Sequence, residues 1–201
     1  MIQSDLFVAL QPVIETLEAL GVPYYVSGSI ASSAYGFARA TLDVDMVAPL
    51  TKSQVSLLVE AVRSVYYVSD QAALDAVDRL SSFNLIHLQT MIKVDLFILP
   101  THPFDQEAFQ RRRKELLVPQ ESFSIFLGTP EDILLHKLRW YLLGGSVSDQ
   151  QWKDVLGILK VQGDLLDYAY LQKWAKEIGT SRLLHRALEE VGRTTPKSSE
   201  F

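Results

Sequence analysis

The sequence predicts an α/β (α+β) fold, with a mixed β-sheet core followed by a C-terminal helical annex. Three observations predict it. Short runs of β-forming residues alternate with helical periodicity as far as residue 129, and from Pro130 onward only helical periodicity remains. One strand-like run carries two aspartates, Asp43 and Asp45, at i and i+2. Hydrophobic residues make up 48% of the 201, enough to fill the core of one domain with an annex.

The elements follow in order. Leu6, Leu10, Val13, Ile14 and Leu17 recur at helical spacing and predict a helix over 6–20, stopped by Gly21 and Pro23. Residues 24–26 read as a short strand. After Ser27, Gly28 and Ser29, a small-residue helix is expected over about 30–35, closed by Gly36. A second strand is expected over 44–47. Thr51 then starts a helix with Val55, Leu58, Val59 and Val62 on one face. Residues 66–68 suggest a strand, and 83–88 with 93–99 a strand pair around Gln89 and Thr90. A helix is expected over 105–113 and a strand over 116–118. Thr129 and Pro130 are a good N-cap and first helical residue for a helix to Leu143, ended by Gly144 and Gly145. Ser148 with Gln151 gives a capping-box pattern for a helix to about Lys160. A turn at Gly163 and two more helices, near 166–177 and 181–191, precede a tail from Gly192. The expected division is a core over 1–129 and an annex over 130–201 that packs on it.

Composition excludes several classes. The formal net charge is -5, which argues against a protein that grips long nucleic acid by its backbone. Cysteine is absent, which removes disulfides, cysteine-ligated zinc and a thiol nucleophile. The first 20 residues lack a basic n-region, and no apolar run approaches the about 18 residues of a membrane helix. A soluble, cytoplasmic protein with no membrane partner is expected.

The chemistry is concentrated in two stretches. Asp43 and Asp45 alternate with Val44 and Met46, so the carboxylates share one strand face and the apolar side chains the other. Paired carboxylates repel unless a cation or proton neutralises them, and oxygen donors suit Mg2+ or Mn2+. Asp95, in the apolar strand around Val94, Leu96 and Phe97, supplies a third acid that would be costly to bury without a partner. Gly28 and Ser29 stand where a strand turns into a helix, a place where backbone N–H groups and a hydroxyl can hold phosphate oxygens.

Gly28-Ser29, a short helix, the Asp43-x-Asp45 pair and the later strand residue Asp95 together resemble the nucleotidyltransferase superfamily related to DNA polymerase beta. The resemblance covers about residues 20 to 100 and is nearest in style to small bacterial AbiEii-type toxin nucleotidyltransferases. The annex matches in style through the run from Glu131 to Lys137 and through Trp152-Lys153-Asp154. The resemblance implies a nucleotidyltransferase-like fold and metal-dependent transfer of a nucleoside monophosphate from a nucleoside triphosphate. It implies Asp43, Asp45 and Asp95 as metal ligands, Lys137 and Asp154 as further active-site residues, and Gly28, Ser29, Arg39, Thr41 and Lys137 as nucleotide contacts. The implied acceptors are an RNA end such as that of tRNA, a protein hydroxyl, or a small molecule such as an antibiotic, and a toxin role would bring an antitoxin partner.

Plainer readings stand beside these. An isolated Asp-x-Asp is commonly a solvated strand edge, and it is Gly28-Ser29 and Asp95 that lift this one. Lys137 can pair with Asp154 or Glu131 across helices, and Arg39 can be a surface ion-pair residue. Arg111, Arg112, Arg113 and Lys114 read as a solvated helix end, with an RNA contact as the sharper alternative. His87, His102, His136 and His185 lack ligand spacing. Trp140, Tyr141 and Trp152 read as core. The functional rival is a non-catalytic nucleotide-binding or interaction module on the same fold. A phosphohydrolase would need His-Asp clusters that the sequence lacks.

Overall fold

A computed structural model describes residues 2–118 and 123–193. The chain divides into two compact units, one of Met1–Ile30 with Ala40–Gly128 and one of Ala31–Arg39 with Thr129–Phe201.

The first unit is built on a seven-stranded mixed sheet. Its elements are α1 (Ile2–Ala19), β1 (Tyr25–Val26), the first residues of α2 (Gly28–Tyr35), β2 (Asp43–Ala48), α3 (Lys52–Val62), β3 (Tyr66–Tyr67), α4 (Asp70–Arg79), β4 (Ser82–His87), β5 (Lys93–Ile98), α5 (Pro103–Arg111), β6 (Arg113–Val118) and β7 (Phe123–Leu127). The strand order is β3-β4-β5-β2-β1-β7-β6, with β2 parallel to β5, β1 parallel to β7, and the other pairs antiparallel.

Alternation sets the two faces of the central strands. Val44, Met46, Val94, Leu96 and Ile98 are buried on one side. α1 packs against α3, and both bury apolar stripes: Ala9, Leu10, Val13, Ile14 and Leu17 from α1, and Val55, Leu58, Val59 and Val62 from α3. Each such leucine contributes about 1.5–3 kcal/mol relative to an exposed one. Thr51 caps α3 through a reciprocal pair with Gln54. The opposite face changes character along its length. It is acidic at Asp43, Asp45 and Asp95. Further along, Val47 joins Tyr25, Leu99 and Phe109 in an apolar cluster, with Phe97 and Phe126 against it.

Two elements were absent from the sequence expectation. In α4 Ala73 and Ala76 are buried and Leu74 and Val77 half-buried, a helical spacing of small and apolar residues that the expectation did not use. β7 does alternate, with Ile125 and Leu127 buried, and it gives β1 its parallel partner through Val26 and Leu127. The helix expected over 105–113 stops at Arg111. Arg112 breaks it with a non-helical backbone, and the basic run continues into β6. The run is therefore not simply a solvated helix end. Arg112 donates to the Phe109 carbonyl at 2.6 Å and lies 4.3 Å over that residue's ring.

The second unit is helical: the later residues of α2, then α6 (Pro130–Leu143), α7 (Asp149–Gln162), a 3-10 turn (Gly163–Leu165), α8 (Tyr168–Glu177) and α9 (Ser181–Glu190). The side chains of Thr129 and Ser148 cap α6 and α7, accepting from the N–H groups of Asp132 and Gln151, but the expected capping box at Ser148 is not completed, since Gln151 Oε1 is buried without a hydrogen-bond partner. α6 buries charged groups with partners. Glu131 accepts from the Asp167 N–H, and Asp132 from the hydroxyls of Thr129 and Tyr170. Tyr141 and Trp152 are buried with ring centroids 5.2 Å apart, but Trp140 is 54% exposed, which corrects its placement in the core. Consecutive helical positions point about 100° apart, and Tyr141 takes the inward one. The tail expected from Gly192 falls, beyond Arg193, outside the described residues.

Candidate active site

The acidic face is set by the β2–β5 register, which puts Asp43 opposite Lys93 and Asp45 opposite Asp95. On the far side of β5, Asn84 is the register partner of Asp95 and donates to its carboxylate. Lys93 joins the acids. Its Nζ lies 2.9 Å from Asp95 Oδ2 and 3.4 Å from Asp43 Oδ1. Asp43 is open to solvent, whereas the Asp95 side chain is only 14% exposed. The hydrogen bond to Asp95 raises the Lys93 pKa, partial burial opposes it, and the charges of Asp95 and Asp43 add to the rise. Lys93 was not among the residues singled out by sequence. Its signal was there, since a residue two before Asp95 on a strand shares its face.

Gly28 lies against Asp45. It opens α2 with φ +57, in the left-handed region, and a Cβ at this position would collide with the Asp45 carboxylate. The Ser27 N–H donates to the Asp45 carbonyl at 2.8 Å, which fixes the turn to β2. Ser29 is the second residue of α2. Thr41 braces the start of β2, donating to the Asp43 carbonyl at 3.0 Å and accepting from the Asp43 N–H at 3.3 Å.

The other expected residues lie in the second unit. Lys137 and Asp154 form a buried ion pair at 2.8 Å between α6 and α7. Arg39 reaches the same carboxylate through Nε at 3.3 Å, and Ser32 and Gln150 donate to it at 3.3 and 2.9 Å. Burial pushes the Asp154 carboxyl up, but the Lys137 hydrogen bond and charge, with Gln150 and Arg39, hold it below the usual carboxylate range. The histidines have structural partners. His87 is buried beside Tyr66, where burial lowers its pKa; His102 caps α5; His136 and His185 bond to main-chain carbonyls.

The acidic face can be tested against a divalent metal. Among the described residues no three His, Asp or Glu side chains are grouped to hold one ion, and at the acidic face Lys93 Nζ contacts both Asp43 and Asp95. The donor chemistry fits a hard cation: three carboxylates on one face, two of them already drawn to a positive charge.

Solved structures similar to this one share its architecture. An antibiotic-resistance factor, ANT(2'')-Ia, is matched with a TM-score of 0.58 at 16% identity, over 94% of this chain and 97% of that one. The fold is nucleotidyltransferase-like. The lincosamide antibiotic adenylyltransferase LnuA, bound to lincomycin, has a TM-score of 0.51 at 12% identity over 79% of this chain and 96% of its own. An antigenic nucleotidyltransferase-like protein from Paracoccidioides brasiliensis has 0.54 at 17% identity over 94% of each chain. No family model and no curated protein matches the chain. Among the described residues no helix is long and apolar enough to cross a membrane.

Proposed function

We propose that the chain is a nucleotidyltransferase that moves a nucleoside monophosphate from a nucleoside triphosphate to a hydroxyl of a small molecule. The observation that carries this is the acidic face itself, Asp43, Asp45 and Asp95 on paired strands, with the Cβ-less turn at Gly28 against Asp45. Asp43, Asp45 and Asp95 are the residues that would hold Mg2+ or Mn2+, with Lys93 moved aside. When bound, the metal supplies charge neutralisation for the triphosphate. Gly28 lets phosphate approach the backbone, and Ser29 offers its N–H and hydroxyl. Asp95 would take the acceptor's proton as the acceptor oxygen bonds to the α-phosphorus and pyrophosphate departs. In the second unit Asp154 holds Lys137 and Arg39 and acts as a positioning residue.

The small-molecule acceptor is favoured because two of the similar structures are an antibiotic-resistance factor and a lincomycin-bound adenylyltransferase. An RNA end, a protein hydroxyl and a toxin role with an antitoxin rest on sequence resemblance alone. A second reading, a non-catalytic nucleotide-binding or interaction module, is favoured by one observation, the seat Lys93 takes between Asp43 and Asp95. Incubation with each nucleoside triphosphate, Mg2+ and a panel of hydroxylated antibiotics separates the two. Acceptor-dependent pyrophosphate release, lost in Asp43→Ala/Asp45→Ala, is expected. Metal-dependent nucleotide binding without pyrophosphate release on any acceptor would favour the module.

A further inference from the structure

Lys93 has no evident duty in the sheet core, because the residues of β5 that fill it are Val94, Leu96 and Ile98 on the opposite side. Its ammonium is partly exposed and spans two carboxylates that would otherwise repel across the β2–β5 pair. A divalent ion held by Asp43 and Asp95 would compete for the oxygens that Lys93 now contacts, and two cations side by side repel as the two acids do. The tether is short, since Lys93 is directly opposite Asp43 and one alternation from Asp95. The lysine is therefore always present at high local concentration, while a metal must come from solution.

We propose that Lys93 is a tethered counter-ion that neutralises the acidic face in the metal-free protein and is displaced on metal binding, so that it sets the metal concentration at which the site loads. This rests on the nucleotidyltransferase reading of that face. Lys93 is a positioning residue here: it keeps Asp43 and Asp95 in place without metal and gives them up to it. The expected consequence is a site that loads less readily than the same three acids would without the lysine.

The test is titration of the full chain with Mn2+ alone, followed by electron paramagnetic resonance of the free ion, with no nucleotide present. Lys93→Met is expected to tighten Mn2+ binding about tenfold, since it removes a unit charge next to the ion. Lys93→Arg, which keeps the charge, is expected to bind as wild type does. Unchanged or weaker binding in Lys93→Met, or equal tightening in Lys93→Arg, would overturn the proposal. Asp43→Ala/Asp45→Ala separates the two levels of inference. If it binds Mn2+ as wild type does, the face is not a metal site and the nucleotidyltransferase reading falls with it. If it loses Mn2+ while Lys93→Met is unchanged, the role of Lys93 alone is wrong. Where Lys93→Met does not fold, Lys93→Gln is melted instead. Without metal it is expected to melt below wild type, and on adding Mn2+ to gain more than wild type does. An equal gain in the two proteins would overturn the proposal.

Discussion

Lysine stands beside carboxylates both at Asp154 and on the acidic face, and the surroundings make the two clusters different. In the second unit Asp154 is 8% exposed and is bonded by Lys137, Arg39, Ser32 and Gln150. Its charge is enclosed and matched by these donors. In the first unit Lys93 serves two acids at once on a face that includes exposed Asp43 and adjoining Asp45. Acid outnumbers base among these four side chains, and part of the cluster meets solvent. The same chemical pair therefore encloses one carboxylate and leaves acid in excess in the other cluster. Burial and the count of donors make the difference.

Several substitutions test that contrast. The largest expected effect on stability is at the enclosed pair: Lys137→Met leaves Asp154 buried beside a lost partner and should cost about 3–5 kcal/mol in urea unfolding. Lys93→Met, at a partly exposed pair, should change stability by no more than about 1 kcal/mol under the same conditions. Equal costs at the two lysines would break the distinction.

A second pair sharpens the account of the helical unit. Trp152→Ala should lose about 3–5 kcal/mol, whereas Trp140→Ala should stay within about 0.5 kcal/mol. Gly28→Ala should cost about 1–2 kcal/mol from its left-handed backbone and should also displace Asp45. Nucleotide binding is expected to weaken by more than the stability loss explains, which calorimetry on the folded variant checks.

The smallest effect is in pH. The folded Asp154 carboxyl is held below its ordinary value, so protonation favours the unfolded chain. Its contribution is present above about pH 3.9 and is lost as pH falls through the lower folded value. The gap in urea midpoint between wild type and Asp154→Asn should therefore be widest near neutrality and narrow in acid.

Much of this was legible in the sequence, because alternation is a strong code. Asp43 and Asp45 could be assigned to one face of their strand from spacing, and Lys93 to the face of Asp95; that these two strands pair in the register that joins the faces comes from the fold. β7 also alternates and was readable. So was α4, from the Ser69 cap and from Ala73, Leu74, Ala76 and Val77 at helical spacing, although small residues make that stripe a faint one. Trp140 shows the opposite failure: a large aromatic suggests core, but the helical phase belongs to its neighbour Tyr141. The pairing of Lys137 with Asp154 was one of the plainer readings, and Gln150 lies one helical turn before Asp154 in α7; Ser32 and Arg39 could not be read as its partners, because they stand more than a hundred residues away in the chain and meet it only through tertiary structure.

The most direct test of the central claim is calorimetric titration of each of the four nucleoside triphosphates with Mg2+, on wild type and on Asp43→Ala/Asp45→Ala. The account predicts Mg2+-dependent binding of at least one nucleotide that disappears in the double variant. Binding that survives in the variant, or absence of binding by all four in wild type, would contradict it.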